Sequence, residues 1–188
     1  DSTSLVIAPA AVVGNWAAEA ARFTPGLRVV VHHGATRAST EKIAADAARA
    51  DVIITTYGTA VRDIDALESI QWDRVILDEA QAIKNAESQS AKAARLLRGR
   101  HRLAVSGTPV ENHLGELWSI FEFLNPGMLG SDTVFKRFAS SGSGAGLDAA
   151  DRTLLAKSLR PFILRRTKAQ VVQDLPEKTE QTLYCDME

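Results

Sequence analysis

Five short apolar runs, rich in β-branched residues, alternate with helical stretches over the first hundred or so residues. This alternation constrains the fold more than any other feature. The runs are 5–8 (LVIA), 29–32 (VVVH), 52–55 (VIIT), 74–77 (RVIL) and 102–106 (RLAVS). They are too apolar for a sheet with one wet face, which predicts parallel strands covered on both sides. Helices are expected between them at 14–23, 39–50 and 88–97, the first with Trp16, Ala20 and Phe23 at helical spacing. Asn85 is the expected N-cap of the third, with Glu87 in its first turn. Strand and helix repeated in this order imply right-handed crossovers and helices on both faces of an α/β body.

After Pro109 the pattern changes. Leu114, Leu117, Trp118, Phe121 and Leu124 recur at three- and four-residue steps, an amphipathic helix ended by Asn125, Pro126 and Gly127. A second helix is expected at 131–139, carrying Val134, Phe135 and Phe138, and a third at 148–159. The run SSGSGAG at 140–146 reads as a flexible linker between them. The expected division is a body at 1–112, a helical appendage and link at 113–175, and the start of a further connection at 176–188.

Several function classes are excluded early. The longest apolar run, 5–13, is broken by Pro9 and falls far short of the roughly 20 residues that span a bilayer. It lacks the basic flank of a signal peptide. The single cysteine, Cys185, rules out an internal disulfide or a multi-cysteine metal cluster, so a reducing setting is expected, cytoplasmic or nuclear. Net charge is −1, so composition does not point to nucleic acid. Arginine outnumbers lysine 15 to 7 and alanine is abundant, which points to a GC-rich bacterial genome. The chain begins at Asp1 without an initiator methionine and is expected to be part of something longer.

The sharpest chemical signal is Asp78-Glu79, two adjacent carboxylates at the end of an apolar strand, followed by Ala80 and Gln81. Ligands of open parallel sheets bind at the carboxyl ends of the strands. Two acids there are hard to desolvate unless a cation or an attacking water needs them. In nucleotide hydrolysis the first acid of such a pair holds Mg²⁺, often through water, and the second orients or deprotonates the attacking water. Ser106, Gly107 and Thr108 end a second strand with small hydroxyl residues and a turn that lets backbone approach a ligand. Thr55, Thr56 and Tyr57, followed by Gly58, end a third, where hydroxyls and N–H groups suit phosphate oxygens. Each also reads as an ordinary strand end: acids at a helix start, a Ser-Gly-Thr-Pro turn, a β-branched run before glycine.

Taken together and in order, these segments resemble the motifs of superfamily-two helicases. Leu5-Val6-Ile7-Ala8-Pro9, with Asn15-Trp16 downstream, resembles motif Ia, and Thr55-Thr56-Tyr57 motif Ib. Asp78-Glu79-Ala80-Gln81 resembles motif II, and Ser106-Gly107-Thr108-Pro109 motif III. Ile83-Lys84-Asn85, then Glu111-Asn112 with Leu117-Trp118-Ser119, then the stretch 159–168 (LRPFILRRTK) ending at Leu175-Pro176, narrow the resemblance to the Swi/Snf-type ATPases. Gln81 stands where many relatives carry histidine.

The resemblance implies a RecA-like parallel sheet flanked by helices, the first lobe of an ATP- and Mg²⁺-dependent motor that tracks double-stranded DNA by its phosphates. Asp78 and Glu79 would be catalytic, with Asp78 holding Mg²⁺ through water. Gln81, Ser106, Gly107 and Thr108 would couple the motifs. Pro9, Gly34, Arg37, Thr55, Thr56 and Tyr57 would line the DNA edge. His32 and His33 lie beside them without metal-ligand spacing, and at least one is expected to pack or face solvent. No G-x-x-x-x-G-K-[ST] occurs in the 188 residues, so this chain alone is expected to hold no nucleotide and hydrolyse none. The family's strand before that loop would lie beside the one ending at Ser106, so an uncovered edge and a non-native dimer are expected. The other readings are a strand-separating or RNA-directed helicase and a non-catalytic scaffold.

Overall fold

The computed structural model describes residues 2–35, 37, 39–107, 114–131, 135, 149–166 and 170. Two compact units are present, Asp1–Ser141 and Gly142–Glu188. The helix after the sheet belongs to the first unit.

Five strands form one sheet: β1 (Ser4–Ala8), β2 (Val29–His32), β3 (Val52–Thr56), β4 (Gln71–Leu77) and β5 (Arg98–Ala104). Their order is β2-β3-β1-β4-β5, and every pairing is parallel. Leu5 through Ala8 are buried without interruption, as are Ile53 through Thr56, the signature of strands covered on both faces. The expected strand positions hold, with β4 and β5 each starting earlier because Trp72 and Gly99 already pair. A Cβ on Gly99 would lie 2.9 Å from a methyl carbon of Val75, so only glycine lets the two strands approach there.

Crossovers fill both faces. Helix α1 (Ala10–Phe23) begins directly after Pro9, four residues before the expected start, because proline's fixed φ suits a helix entry. Its Val13, Trp16 and Ala17 pack on Val6 and Ile54. Helix α2 (Thr40–Arg49) is capped by Ser39, whose hydroxyl accepts the Lys42 N–H, and it buries Ile43 and Ala47 on the opposite face. The turns after β3 form two short helices that no sequence signal announced, α3 (Tyr57–Arg62) and α4 (Ile64–Glu68). Helix α5 (Gln89–Leu96) starts at Ser88, not Asn85. The Asn85 side chain instead accepts the Glu87 N–H, closing a local turn three residues before the helix's cap at Ser88.

Helix α6 (Leu114–Leu124) completes the core, sending Ile120 and Phe123 among Ile83, Leu97 and Trp72. Ser119 donates to the Ile83 carbonyl. Arg102 reaches from β5 to the carbonyls of Phe123 (2.6 Å) and Leu97 (2.8 Å), closing two helix ends with one guanidinium. Among the described residues β2 and β5 are the outer strands, and Leu103 and, just past β5, Val105 are about half exposed. In the second unit, α7 (Ala149–Leu159) runs into a 3₁₀ turn at Arg160–Phe162. The predicted helix at 131–139 and the linker at 140–146 lie almost wholly outside the described residues.

Candidate functional site at the strand carboxyl ends

The strand register brings the predicted motifs to one rim. Ile7 pairs with Leu77, Ala8 with Thr56 and Leu77 with Ala104, so Pro9, Tyr57, Asp78 and Val105 emerge side by side. The ladder continues one step past the strands, Asp78 N–H donating to Ile7 and Val105 N–H to Leu77, both at 2.8 Å. The chain then turns sharply at Glu79, whose φ of 48° and ψ of 54° lie in the left-handed region. Among described residues it alone has a positive φ without being glycine, a conformation that costs roughly 1–2 kcal/mol. The turn lets Ala80 N–H reach the Val105 carbonyl at 2.9 Å, which locks the acids against the end of β5.

Both acids are half-buried and held by donors that leave their charge intact. Asp78 Oδ1 accepts the Glu79 N–H at 2.9 Å, and Oδ2 accepts the indole N–H of Trp16 at 2.8 Å. The Tyr57 hydroxyl donates to the Asp78 backbone carbonyl at 2.6 Å. Burial pushes the Tyr57 phenol up, and the negative charges of Asp78 and Glu79 push it further, so it remains a donor. Gln81 donates its amide N–H to Glu79 and accepts the Ser106 hydroxyl at 2.9 Å with its carbonyl. A continuous relay, Glu79–Gln81–Ser106, thus joins the end of β4 to the end of β5. It brings together three of the six residues predicted to couple or catalyse across the two motifs.

The donor set fits a hard divalent cation. Carboxylate oxygens suit Mg²⁺, which keeps several waters and takes few protein ligands. Among the described residues no group of three His, Cys, Asp or Glu converges on a metal position, so Asp78 would have to share such an ion with water and phosphate. Gly107 is exposed beside Ser106, and Thr108 lies outside the described residues.

The neighbouring rim differs from expectation. Thr55 is fully buried and donates to the His32 carbonyl at 2.7 Å. Thr56 is buried too, and its hydroxyl caps α3 by accepting the Thr59 N–H while bonding the Thr59 hydroxyl at 2.9 Å. Both hydroxyls satisfy buried polar groups of their own strand end. Tyr57 points toward the acids. Gly34 is exposed with φ of 92°. Arg37 is not a free charge, for its Nε and Nη2 grip Asp63 at 2.6 and 3.0 Å. His32 is buried and donates Nε2–H to the same carboxylate at 2.7 Å. His33 is exposed, with Nδ1 3.2 Å from the Thr59 hydroxyl.

Sequence reasoning missed Asp63 and Trp16 as site-forming residues. Asp63 belongs to no motif and sits between two short helices without a period of their own. Trp16 stands at a core spacing on α1, and only its indole N–H, invisible to periodicity, turns it toward Asp78.

A family model described as the SNF2-related domain matches residues 1–188. The putative ATP-dependent helicase/translocase YwqA of Bacillus subtilis (strain 168) is 45% identical over 185 residues, 97% of this chain and 20% of that protein. The TATA-binding protein-associated factor mot1 of Schizosaccharomyces pombe is 40% identical over 195 residues, 98% of this chain and 10% of that protein. The Sulfolobus solfataricus SWI2/SNF2 ATPase core in complex with dsDNA matches with a TM-score of 0.81 at 40% identity, over 93% of this chain and 36% of that one. The chain therefore spans a fifth or less of the two relatives' length. One relative is bacterial and the other a fission yeast protein, so the likeness does not favour the bacterial source expected from composition.

Proposed function

The chain belongs to the SNF2-related domain family, and from that premise we propose that it is the first lobe of an ATP-driven motor that translocates on double-stranded DNA. The observation that carries this reading is the Asp78-Glu79 pair at the end of β4, wired through Gln81 to Ser106 at the end of β5. Asp78 would hold Mg²⁺, and Glu79 would orient the water that attacks the terminal phosphoryl group and take up its proton. Gln81 reports the state of Glu79 to Ser106, so that hydrolysis alters the segment leaving β5. The metal supplies charge neutralisation on the phosphate oxygens.

The rim from His32 to Arg37 and from Thr56 to Thr59 faces the duplex backbone in this reading. Thr55 and Thr56 shape that rim and do not touch the phosphates. The SWI2/SNF2 core that resembles this chain was obtained with dsDNA, which supports duplex over single strands. The 188 residues hold no phosphate-loop lysine, so the chain by itself binds Mg·ATP no tighter than millimolar, and a second lobe completes the cleft. The open edge of β5, with Leu103 and Val105 exposed, supports self-association of the isolated chain, which light scattering reads directly.

The decisive experiment is an ATPase assay of the full-length protein alone and with duplex DNA, single strands or RNA. Stimulation by duplex of any sequence, falling steeply with salt, is the expected result. Stimulation by RNA or single strands alone refutes the translocase reading.

A further inference from the structure

The geometry points to Trp16 as a positioning residue that sets the orientation of the Asp78 carboxylate. This rests on the proposed role of Asp78 and adds a residue to it. The described chain has three indole N–H donors, and two serve the backbone: Trp72 donates to the Leu67 carbonyl at 3.0 Å and Trp118 to the Gly130 carbonyl at 3.1 Å. Those bonds satisfy a buried donor and nothing more. Trp16 alone donates to an ionisable side chain, across 62 positions of sequence, at 2.8 Å.

The ring is partly buried. It packs with Ala17 against Val6, Val13 and Ile54, on the face of the sheet that α1 covers. A ring packed on that face aims its single donor at one place, and the Asp78 carboxylate meets it there. The Asp78 carboxylate is thereby held at both oxygens, by Trp16 on Oδ2 and by the Glu79 N–H on Oδ1. The Tyr57 hydroxyl holds the carbonyl of the same residue, immediately before the left-handed turn at Glu79. An indole donates without titrating, so it fixes the acid while leaving its negative charge for the cation. A carboxylate free to rotate would hold the ion off the productive geometry for much of the time, and supporting hydrogen bonds of this kind are commonly worth 10- to 100-fold in metal affinity or activity.

Trp16 lies in the second turn of α1, the helix that follows Pro9, and its hydrogen bond ties that helix to the acid at the end of β4.

The test uses Trp16→Phe in the full-length protein, which keeps an aromatic plane and deletes the N–H, beside Trp16→Leu, which also loses packing, and Asp78→Asn as reference. Steady-state ATPase with duplex DNA is measured across a Mg²⁺ titration, together with thermal melting. Trp16→Phe is expected to lower kcat about tenfold and to raise the Mg²⁺ concentration for half-maximal rate several-fold, with melting within about 2 °C of the parent. Wild-type kcat and Mg²⁺ dependence in Trp16→Phe overturn the proposal. So does a rate loss that follows a lowered melting point in both Trp16 variants with the Mg²⁺ titration unmoved, which makes the residue a packing element. Full turnover in Asp78→Asn overturns the underlying assignment of the acid; a silent Trp16→Phe beside a dead Asp78→Asn overturns the positioning role alone.

Discussion

Two carboxylate clusters lie at the carboxyl ends of the same parallel sheet and were treated differently by the fold. Asp78 and Glu79 are held by an indole N–H, a backbone N–H and a side-chain amide, none of which carries charge. Asp63 is gripped by the Arg37 guanidinium and the His32 imidazole. The first pair keeps its negative charge available and sits on a strained turn. The second is neutralised by its own neighbours, and the Arg37 guanidinium foremost holds its carboxyl at about 2, below the ordinary 3.8. A carboxylate at a strand end is thus poised for a cation or closed as a structural pin according to what donates to it, and burial alone does not separate the two.

The largest way to break this comparison is Glu79→Gln in the full-length protein. Turnover should fall on the order of a hundredfold or more while ATP and DNA binding persist, because the base is removed and the volume kept. Near-normal turnover would place Glu79 with the structural acids. Asp63→Asn should leave chemistry intact and instead weaken the fold, since His32 and Arg37 lose a charged acceptor. The expected cost is about 1–3 kcal/mol in chemical denaturation.

The pH dependence sharpens the same contrast. Because the folded value of Asp63 lies below the unfolded one, its contribution is present above pH 3.8 and is lost as pH falls toward about 2. Acid unfolding of the parent should steepen across that window, and the steepening should vanish in Asp63→Asn. Glu79→Gly is subtler: it relieves a left-handed glutamate, so stability should hold or rise by up to about 1 kcal/mol while hydrolysis is lost. A loss of stability beyond that would mean the strain is not stored at residue 79.

The smallest effect is expected at Arg37. With its charge shared by Asp63, Arg37→Ala should lower duplex affinity a few-fold, uniformly across sequences, and reduce the slope of log affinity against log salt by less than the roughly 1 of a full phosphate contact. An unchanged slope would remove Arg37 from the DNA rim. Thr56→Ala, by contrast, should cost about 1 kcal/mol of stability as a lost helix cap and leave the slope alone.

The sequence by itself determined the parallel sheet, since uninterrupted runs such as 5–8 and 52–55 have nowhere dry to go except between two layers of helices. It also determined the acid pair and the hydroxyl strand end, since residue types at strand ends survive any detail of packing. Helix limits were legible only where a cap had no rival: Ser39 caps α2, but Asn85 lost to Ser88 because a nearer backbone N–H satisfied its side chain first. Tertiary structure alone decided which hydroxyls are free. Thr55 and Thr56 look available in sequence and are consumed by His32 and Thr59. It alone paired Arg37 with Asp63 and sent the Trp16 indole to Asp78, contacts 26 and 62 residues apart in the chain. Periodicity records which face of an element is buried, whereas the direction of a single donor on that face is fixed only when the strands come into register and bring its acceptor within 3 Å.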